Sequence, residues 1–540
     1  MKLSSVFYIF LVIISYACAG NILFLVPFNG PSHWLFLSHF IRELLNRGHH
    51  VTAITGIKYT YSVNSNYTEI LIDPPYDFIV SNDDVFETKY TSPFSSVKWL
   101  YTLGLDNSEY GLKNSNVQKL IQSENEHHFD LVISEQFYQE TWLMFAHKFN
   151  APIVTISSMG YSDYMDYANG LVTPWAYVPH LLLNFSDKMT FWQRVENVLL
   201  SLYDKYLRLT FYMPENNKLA EKYFGTQGPL PRVEDMEKKI DVMLVNFNHA
   251  ISKPRPSMPN QINIGGAHIK PKPKLLPTEI QNFIDEAEHG VIYMSLGAYV
   301  KSASMPVEKM REFLNAFGQL KQRVLWKFES DNLPELPKYV MMKKWMPQAD
   351  ILAHKNVRLF ITHGGMFGTT EGTYNGLPML FIPFYGDQHR NALKAEAAGT
   401  ALTLRFADIN ADTLKSKLNE LLQNKKYYET AQDVSRVFKD SPIHPMDSAI
   451  FYVEYVMRHK GAKYLKSSAI ELCWYENLLL DIIGLCFSII ILTILLIFLL
   501  VNLKWILLCS YNFEIAGEIF MIKCLMRVRR TIQQYTDILH

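Results

Sequence analysis

The chain has 540 residues, with 52 Lys and Arg against 52 Asp and Glu and a sequence pI ≈ 7.3. A chain of this length exceeds one ordinary hydrophobic core, so we expect two large domains. The balanced charge lacks the net positive field with which proteins capture nucleic acid, so we expect no nucleic-acid partner.

Residues 1–19 have the pattern of a secretory signal peptide. Lys2 is followed by an apolar stretch and then by Ala17, Cys18 and Ala19, which fit a cleavage site after Ala19. A retained membrane anchor is the less favoured interpretation, because the apolar core is short. We therefore expect the mature chain to be translocated across a membrane.

Residues 20–260 show the alternation of strand and helix that is typical of a doubly wound parallel sheet. Continuous apolar runs predict buried strands, which we place at NILFLVPF, HVTAIT, FDLVISE and APIVTIS. Apolar residues at helical spacing in LFLSHFIRELLN predict the helix between the first two strands, and this helix ends before Gly48. These segments predict a first α/β domain.

A proline-rich passage separates this domain from a second one. Neither a helix nor a strand continues through the prolines of residues 250–278, so we place a linker at 261–280, with a long surface loop as the alternative. Beyond it, GVIYMSLGA, QRVLWKF, VRLFITHGG and LPMLFIPF predict the strands of a second α/β domain at 281–465. Two such domains bring the carboxyl ends of both sheets to one cleft, which suits an enzyme with two substrates or a binding protein that closes on its ligand.

The uncharged segment 482–501 is long enough to cross about 30 Å of hydrocarbon as a helix. With the signal peptide it predicts a single-pass type I membrane protein, with a juxtamembrane segment at 466–481 and a cytosolic tail at 502–540. The tail carries five basic residues, as expected on the cytosolic side. These residues are Lys504, Lys523, Arg527, Arg529 and Arg530.

Two further features concern the translocated part. Asn66 and Asn184 begin Asn-x-Thr and Asn-x-Ser tripeptides, which are acceptors for N-glycosylation. Of the five cysteines only Cys473 lies between the signal peptide and the membrane segment, so we expect no internal disulfide there. The translocated part therefore depends on its hydrophobic cores for stability.

The stretch FITHGGMFGTTEG, residues 360–372, predicts a ligand site at the start of a helix. VRLFIT is a buried strand by its composition, so His363 lies at its carboxyl end and a helix starts near Met366. Gly364 and Gly365 leave the backbone N–H groups of the helix entrance open, which favours a phosphate. No second metal ligand lies at helical spacing and no Gly-x-Ser-x-Gly motif is present, so we predict neither a metal site nor a nucleophile elbow. A histidine that only caps the strand is the alternative.

Residues in and around this stretch have the chemistry to bind a base and sugar hydroxyls. Upstream, the indole of Trp345 can stack on a base and the amide of Gln348 can bind a polar edge. Glu371 can accept hydrogen bonds from a sugar diol. Asp387 and Gln388 follow the next strand and can bind sugar hydroxyls.

From Trp345 to Gln388 the sequence resembles the signature of the UDP-glycosyltransferases that include the glucuronosyltransferases. PRPSMPNQINIGG and VEYVMRHKGAKYL extend the resemblance over nearly the whole chain, and GHHVTAIT and FDLVISEQF are most similar to the arthropod branch. The resemblance implies the GT-B fold, in which two Rossmann-like domains face one cleft and the second holds the nucleotide sugar. It also implies an inverting transfer, with glucose favoured over glucuronic acid, and no metal or other cofactor.

The resemblance assigns donor-binding roles to single residues. They are Trp345 for uracil, Gln348 for the nucleoside, Glu371 for the ribose, Asp387 and Gln388 for the transferred sugar, and Ser295, His363, Gly364 and Gly365 for the diphosphate. The family usually has serine where this chain has Gly368, which implies the loss of one phosphate contact. We expect Thr369 to compensate in part.

The resemblance also implies a catalytic base, His33, in the segment NGPSHW after the first strand. A histidine suits proton abstraction from a hydroxyl at neutral pH, especially when a carboxylate holds its tautomer; a helix-capping residue is the alternative. The strand FDLVISE places Glu135 where many relatives have aspartate. Glu140 is the second candidate, and Asp130 is expected to end the preceding loop.

The acceptor is implied to be a small lipophilic molecule with a hydroxyl, bound by the first domain. The aromatic residues of YSDYMDYANGLVTPWAYVPH either line its pocket or pack in the core, and the sequence leaves both open. The family implies the endoplasmic reticulum membrane, with both domains lumenal, and self-association is compatible with the sequence. The rival interpretations are a glucuronosyltransferase and a transferase-like binding protein without turnover.

Overall fold

The computed structural model describes residues 19–60, 65–73, 76, 86, 92–123, 127–331 and 336–538. The predicted signal peptide, apart from Ala19, lies outside these residues. The chain divides into two compact units, Met1–Ile470 and Glu471–His540. The first unit contains both predicted α/β sheets.

Seven parallel strands form the first sheet. They are β1 (Asn21–Val26), β2 (His50–Thr55), β3 (Tyr67–Leu71), β4 (Leu131–Glu135), β5 (Ile153–Ser157), β6 (Val242–Val245) and β7 (Gln261–Asn263). Their order across the sheet is β3-β2-β1-β4-β5-β6-β7. The four strands predicted here from apolar runs are confirmed, and β1, β4 and β5 are apolar along most of their length because the sheet is buried on both faces.

Six parallel strands form the second sheet. They are β8 (Val291–Ser295), β9 (Arg323–Lys327), β10 (Val340–Lys343), β11 (Val357–Thr362), β12 (Met379–Phe381) and β13 (Ala401–Thr403). Their order is β10-β9-β8-β11-β12-β13, which repeats the order of the first six strands of the other sheet. The fold is therefore α/β with two doubly wound sheets, as predicted.

Helices cover the faces of both sheets. Between β1 and β7 they are α1 (Pro31–Asn46), α2 (Pro93–Lys113), α3 (Ser115–Gln122), α4 (Met144–Phe149), α5 (Asp163–Ala168), α6 (Phe191–Leu207), α7 (Met213–Phe224) and α8 (Val233–Lys238). After β7 they are α9 (Thr278–Asp285), α10 (Val307–Phe317), α11 (Gln348–Leu352), α12 (Met366–Tyr374), α13 (Gln388–Ala397), α14 (Ala411–Gln423), α15 (Lys425–Lys439) and α16 (Pro445–His459). A π-helical turn, Arg208–Tyr212, joins α6 to α7.

Two segments connect the sheets in ways that the sequence did not indicate. Residues 261–263, predicted as the start of the linker, form β7, because residues 260–270 contain no proline and can pair with β6. Helix α16 follows the second sheet in the chain but packs on the first: Ile450 and Val453 belong to the core around β1 and α1. The chain thus crosses from one sheet to the other twice.

Each sheet has one pair of neighbouring strands whose following connections run to opposite sides of the sheet. The pair is β1 and β4 in the first sheet and β8 and β11 in the second. This topological switch point opens a crevice at the carboxyl ends of the strands. His33 follows β1 and Glu135 ends β4, while Ser295 ends β8 and His363 follows β11. The predicted site residues therefore lie at the two switch points.

The second unit consists mainly of one helix, α18 (Leu480–Thr536), after the short α17 (Trp474–Asn477). Within residues 471–538 and the other described ranges, α18 alone is long and apolar enough to cross a membrane. The predicted span 482–501 lies within it. The helix continues without a break through the predicted tail to Thr536, a length of about 85 Å for 57 residues.

Candidate active site

A cavity of about 1840 Å³ lies at the carboxyl ends of the two sheets. It is lined from the first sheet's side by His33 and from the second sheet's side by most of the predicted donor-binding residues. These are Ser295, Trp345, Gln348, His363, Gly365, Gly368, Glu371, Asp387 and Gln388. Three predicted residues, Glu135, Gly364 and Thr369, do not line it.

His33 lies in the first turn of α1 and contacts a buried carboxylate. Its Nδ1 is 2.6 Å from Oε1 of Glu135, and the hydroxyl of Ser158 lies within 3.0 Å of both atoms. Glu135 is 1% exposed. The rings of Phe28 and Phe137 meet that of His33 at 65°, which fixes the imidazole plane.

The second candidate partner, Glu140, belongs to a different cluster. Its carboxylate accepts hydrogen bonds from Arg208 and Tyr212, and Arg208 also pairs with Glu237. All four side chains are buried, and burial raises the pKa of Glu237 to about 8 against the opposing effect of Arg208. The geometry thus places Glu135, and not Glu140, against His33.

The start of α12 presents open backbone N–H groups to the cavity. The first helical bond runs from the N–H of Thr369 to the carbonyl of Gly365, so the N–H groups of residues 366–368 precede it. Gly365 is the N-cap and provides no side-chain cap. An anion is favoured at such a terminus by both the free donors and the helix dipole.

The ring of His363 lies between two glycines beside this helix start. A Cβ on Gly297 would come within 2.5 Å of its Cε1, and a Cβ on Gly365 within 2.5 Å of its Nε2. Burial lowers the pKa of His363 to about 4, and the charge of nearby Lys327 acts in the same direction. A neutral imidazole still carries one N–H, so His363 can donate to an anion without bearing charge.

Thr369 does not occupy the position that we expected. It is 1% exposed, it does not line the cavity, and its hydroxyl has no hydrogen-bond partner among the described residues. Residues 368 and 369 are about 100° apart around the helix, so only Gly368 faces the cavity. The position of Thr369 therefore gives no support to the expected compensation for the missing serine hydroxyl.

Glu371 forms the centre of a buried polar group. Nε2 of Gln348 donates to its Oε2 at 2.6 Å, and Nε2 of His268 lies 3.9 Å from its Oε1. Burial raises the pKa of Glu371 to about 7, although the Gln348 hydrogen bond opposes the shift. Two residues that were predicted separately, for the nucleoside and the ribose, are thus in contact.

Asp387 and Gln388 lie at the start of α13. Oε1 of Gln388 accepts from the backbone N–H groups of Phe384 and Tyr385, so only its amide N–H groups can face a ligand. Asp387 accepts from Asn391 at 2.6 Å. Burial raises the pKa of Asp387, while Arg390 and, across the cavity, His33 act in the opposite direction.

Trp345 and Ser295 complete the predicted set. The indole of Trp345 is 70% exposed on the loop before α11 and stands at the cavity edge, free to stack on a planar ligand. Ser295 ends β8 and accepts a long hydrogen bond from the N–H of Gly297. Both positions are compatible with the ligand atoms assigned to them.

Comparisons with known proteins agree on one family. The family model described as UDP-glucoronosyl and UDP-glucosyl transferase matches residues 21–512. UDP-glycosyltransferase UGT5 of Dactylopius coccus is 35% identical over 517 residues, which cover 94% of this chain and 97% of the relative. The chain belongs to this family. It is a UDP-sugar transferase.

Other relatives confirm the breadth of the similarity. UDP-glucuronosyltransferase 1A8 of Rattus norvegicus is 32% identical over 490 residues, covering 88% of this chain and 90% of the relative. Among solved structures, the glycosyltransferase VinC in complex with dTDP has a TM-score of 0.57 at 15% identity and covers 82% of this chain and 100% of its own. CalG4, the calicheamicin glycosyltransferase, has a TM-score of 0.55 at 16% identity and covers 82% of this chain and 99% of its own. The GT-B fold and the similarity to insect relatives are confirmed.

The first-sheet half of the transferase cavity is lined mostly by apolar and aromatic side chains. They are Phe28, Leu35, Phe36, Trp99, Leu100, Leu103, Phe137, Tyr138, Met159, Leu181 and Leu182. The aromatic residues between 161 and 180, for which the sequence left two roles open, do not line it. Tyr161 and Tyr164 are buried in the core, and the indole of Trp175 donates to Asp163.

Sequence reasoning missed four residues that help to shape the site. Phe36, one turn beyond His33 on α1, stacks on Phe367 of α12 with ring centroids 5.1 Å apart, and His268 packs against both rings. Lys327 ends β9, lines the cavity and donates to the carbonyl of Gly297 at 2.6 Å. Only Lys327 had a detectable signal, because it ends a predicted strand at the cleft.

Glu371 makes the stability of the unliganded protein depend on pH. Its pKa is about 7 in the fold and about 4.5 in the unfolded chain, so the folded state binds this proton more tightly. The free energy of unfolding therefore falls between pH 4.5 and 7 and stays lower above pH 7. We expect Glu371→Gln to increase the free energy of unfolding at pH 8 by about 2–3 kcal/mol and to raise the thermal unfolding midpoint accordingly. At pH 5 most of this increase should be absent, because Glu371 is then protonated in the folded state.

The matched control is Glu429→Gln, which changes an exposed carboxylate on α15. We expect it to leave the midpoint within about 0.5 kcal/mol of the wild type at both pH values. Equal midpoints for Glu371→Gln and the wild type at pH 8 would contradict the raised pKa.

Proposed function

We propose that the protein transfers a hexose, with glucose preferred, from a UDP-sugar to the hydroxyl of a small lipophilic acceptor, with inversion and with His33 as the general base. The observation that carries the proposal is that His33, which contacts the buried Glu135, lines the same cavity as the open start of α12. One group can deprotonate the acceptor while the other holds the leaving diphosphate.

On the donor side, each part of the nucleotide sugar meets a suitable group. Uracil stacks on Trp345, the ribose hydroxyls donate to Glu371, and the diphosphate accepts from the backbone N–H groups at the start of α12. His363 adds a neutral N–H, and Lys327 adds positive charge close by. Lys327 is itself paired with Glu329 at 3.1 Å, so these groups act on the diphosphate mainly through fixed dipoles, and the proposal requires no metal.

The reaction then needs a single proton transfer. Nε2 of His33 takes the proton of the acceptor hydroxyl as its oxygen attacks C1 of the sugar from the face opposite UDP. The bond from C1 to the diphosphate oxygen breaks, and UDP leaves with the electron pair. Glu135 holds Nδ1–H and stabilises the imidazolium that forms. Asp387 and Gln388 hold the hydroxyls of the sugar between the two centres.

The acceptor class follows from the lining of the first-sheet half of the cavity. The rings of Phe28, Phe137 and Trp99 favour flat, apolar molecules. The imidazole of His33 contacts the rings of Phe28 and Phe137. Anchoring by α18 would keep the site near a membrane, where lipophilic molecules concentrate. The proposal also places the protein in the endoplasmic reticulum membrane, with both α/β domains in the lumen and with N-linked glycans at Asn66 and Asn184.

Asn184 and Asn66 differ in their surroundings. Asn184 is exposed at the rim of the cavity, so a glycan there would stand beside the acceptor entrance. Asn66 is half-buried in the turn before β3, and its carbonyl accepts from Val51. Asn184 is therefore the more accessible acceptor in the folded chain.

The test of the proposal is a donor panel. Membranes from cells that express the full chain are given UDP-glucose, UDP-glucuronate and other UDP-sugars with phenolic acceptors, and the glycosylated products are quantified. We expect the highest rate with UDP-glucose. A preference for UDP-glucuronate would favour the activity named for the mammalian relative. UDP release without acceptor glycosylation, or no turnover with any donor, would contradict the proposal.

Replacement of the base separates chemistry from donor binding. We expect His33→Ala to lower kcat by roughly 10²–10⁴-fold, because the acceptor loses its general base. The affinity for UDP, measured by calorimetry on the same preparation, should stay within about twofold of the wild type, since His33 lies on the acceptor side. Activity close to that of the wild type would exclude His33 as the base.

Substitutions of Gly368 test whether a contact to the diphosphate is missing. A Cβ at this position would lie 3.5 Å from Phe360 and from the hydroxyl of Thr362, so a small side chain fits without a clash. We expect Gly368→Ser to lower the KM for UDP-glucose by roughly 2- to 10-fold, because its hydroxyl can donate to the diphosphate. Gly368→Ala adds the same Cβ without a donor and is the control. Equal KM values for the two variants would show that no contact is missing.

A further inference from the structure

Ser158 forms a closed triangle with His33 and Glu135. Its Oγ is 2.9 Å from Oε1 of Glu135 and 3.0 Å from Nδ1 of His33, and these two atoms are 2.6 Å apart. Ser158 is fully buried and does not line the cavity. A substrate therefore cannot touch it, and any effect on transfer must pass through the other two residues.

With Glu135 as a carboxylate, the three contacts admit one arrangement of hydrogens that leaves no repulsion. If Nδ1 carried a lone pair, that lone pair would face a carboxylate oxygen at 2.6 Å. Nδ1–H therefore points to Oε1 of Glu135, with the oxygen of Ser158 as a weaker second acceptor, and the Ser158 hydroxyl donates to Oε1. This arrangement leaves the lone pair on Nε2 of His33, the nitrogen that a base requires.

The backbone holds Ser158 in place. It directly follows β5, the neighbour of β4, and its carbonyl accepts from the side chain of Asn246 at 2.9 Å. The backbone N–H of Asn246 donates to the carbonyl of Ser157 at 3.0 Å. The hydroxyl thus projects from a fixed point at the end of the sheet.

The Glu135 carboxylate has few other contacts that restrain its orientation. A glutamate has one more rotatable bond than an aspartate, and its other oxygen, Oε2, is buried without a hydrogen-bond partner among the described residues. Within those residues, Oε1 has His33 and Ser158 as its side-chain partners. Without the serine, the carboxylate would be held by His33 alone and could rotate away from Nδ1.

We propose that Ser158 is a positioning residue for transfer, which holds the Glu135 carboxylate so that its Oε1 stays on Nδ1 of His33. This inference rests on the proposed function, because it needs His33 as the base. Ser158 acts on the orientation of the base and has no part in donor binding. The hydrogen bond from Ser158 thus restrains the glutamate side chain, which has one more rotatable bond than an aspartate at this position would have.

The first experiment compares Ser158→Ala with Ser157→Ala in the full chain. Ser157 is the adjacent buried serine, and its hydroxyl donates to the carbonyl of Gly160, away from the pair. We expect Ser158→Ala to lower kcat by roughly 10- to 100-fold with the KM for UDP-glucose unchanged. Ser157→Ala should keep the wild-type kcat. An unchanged kcat in Ser158→Ala, or an equal loss in both variants, would overturn the inference.

The second experiment is a double-mutant cycle with Glu135→Gln, since residues that act through one another are not additive. If Ser158 works through Glu135, Ser158→Ala should change kcat less than twofold in the Glu135→Gln background. A full additional loss there would show that Ser158 supports only the fold, and would overturn the inference. Wild-type turnover is measured in parallel, so that failure of the transfer reaction itself is distinguished from failure of this role.

Discussion

The site depends on one topological constraint, the repetition of the same strand order in two parallel sheets. The order β3-β2-β1-β4 recurs as β10-β9-β8-β11, so each sheet opens a crevice at its carboxyl edge. His33, Glu135, Ser295 and His363 all follow or end one of the four strands that border these crevices. Residues more than 300 positions apart in the chain thereby line a single cavity.

Burial disfavours the charged forms of three cavity groups before any ligand binds. It lowers the pKa of His363, and it raises those of Glu371 and Asp387. His363 is thus a neutral group beside the start of α12, and Lys327, which also lines the cavity, pairs with Glu329 at 3.1 Å. The stacking of Phe36 on Phe367 joins α1, which carries His33, to α12. Packing therefore sets the separation between His33 and the start of α12.

Much of this could be predicted from the sequence because the signals are local. Apolar runs located the strands. The family resemblance then selected His33, Glu135 and the start of α12 as candidate site positions at the ends of those strands. Side-chain direction was harder to predict: Thr369 was expected to replace a serine hydroxyl in part, but it is buried and does not line the cavity. Ser158, His268 and the Phe36–Phe367 stack were missed, because each depends on contacts between segments that are far apart in the chain. The return of α16 to the first sheet was missed for the same reason.

The central claim is that the acceptor oxygen attacks C1 from the His33 side while the diphosphate leaves on the α12 side. The most direct measurement is the anomeric configuration of the product that the full chain makes from UDP-α-glucose and a phenol, determined by proton NMR. Attack opposite the leaving group predicts the β-glucoside alone. An α-glucoside would mean that the incoming and leaving groups share one face, and would contradict the placement of base and diphosphate on opposite sides of the sugar.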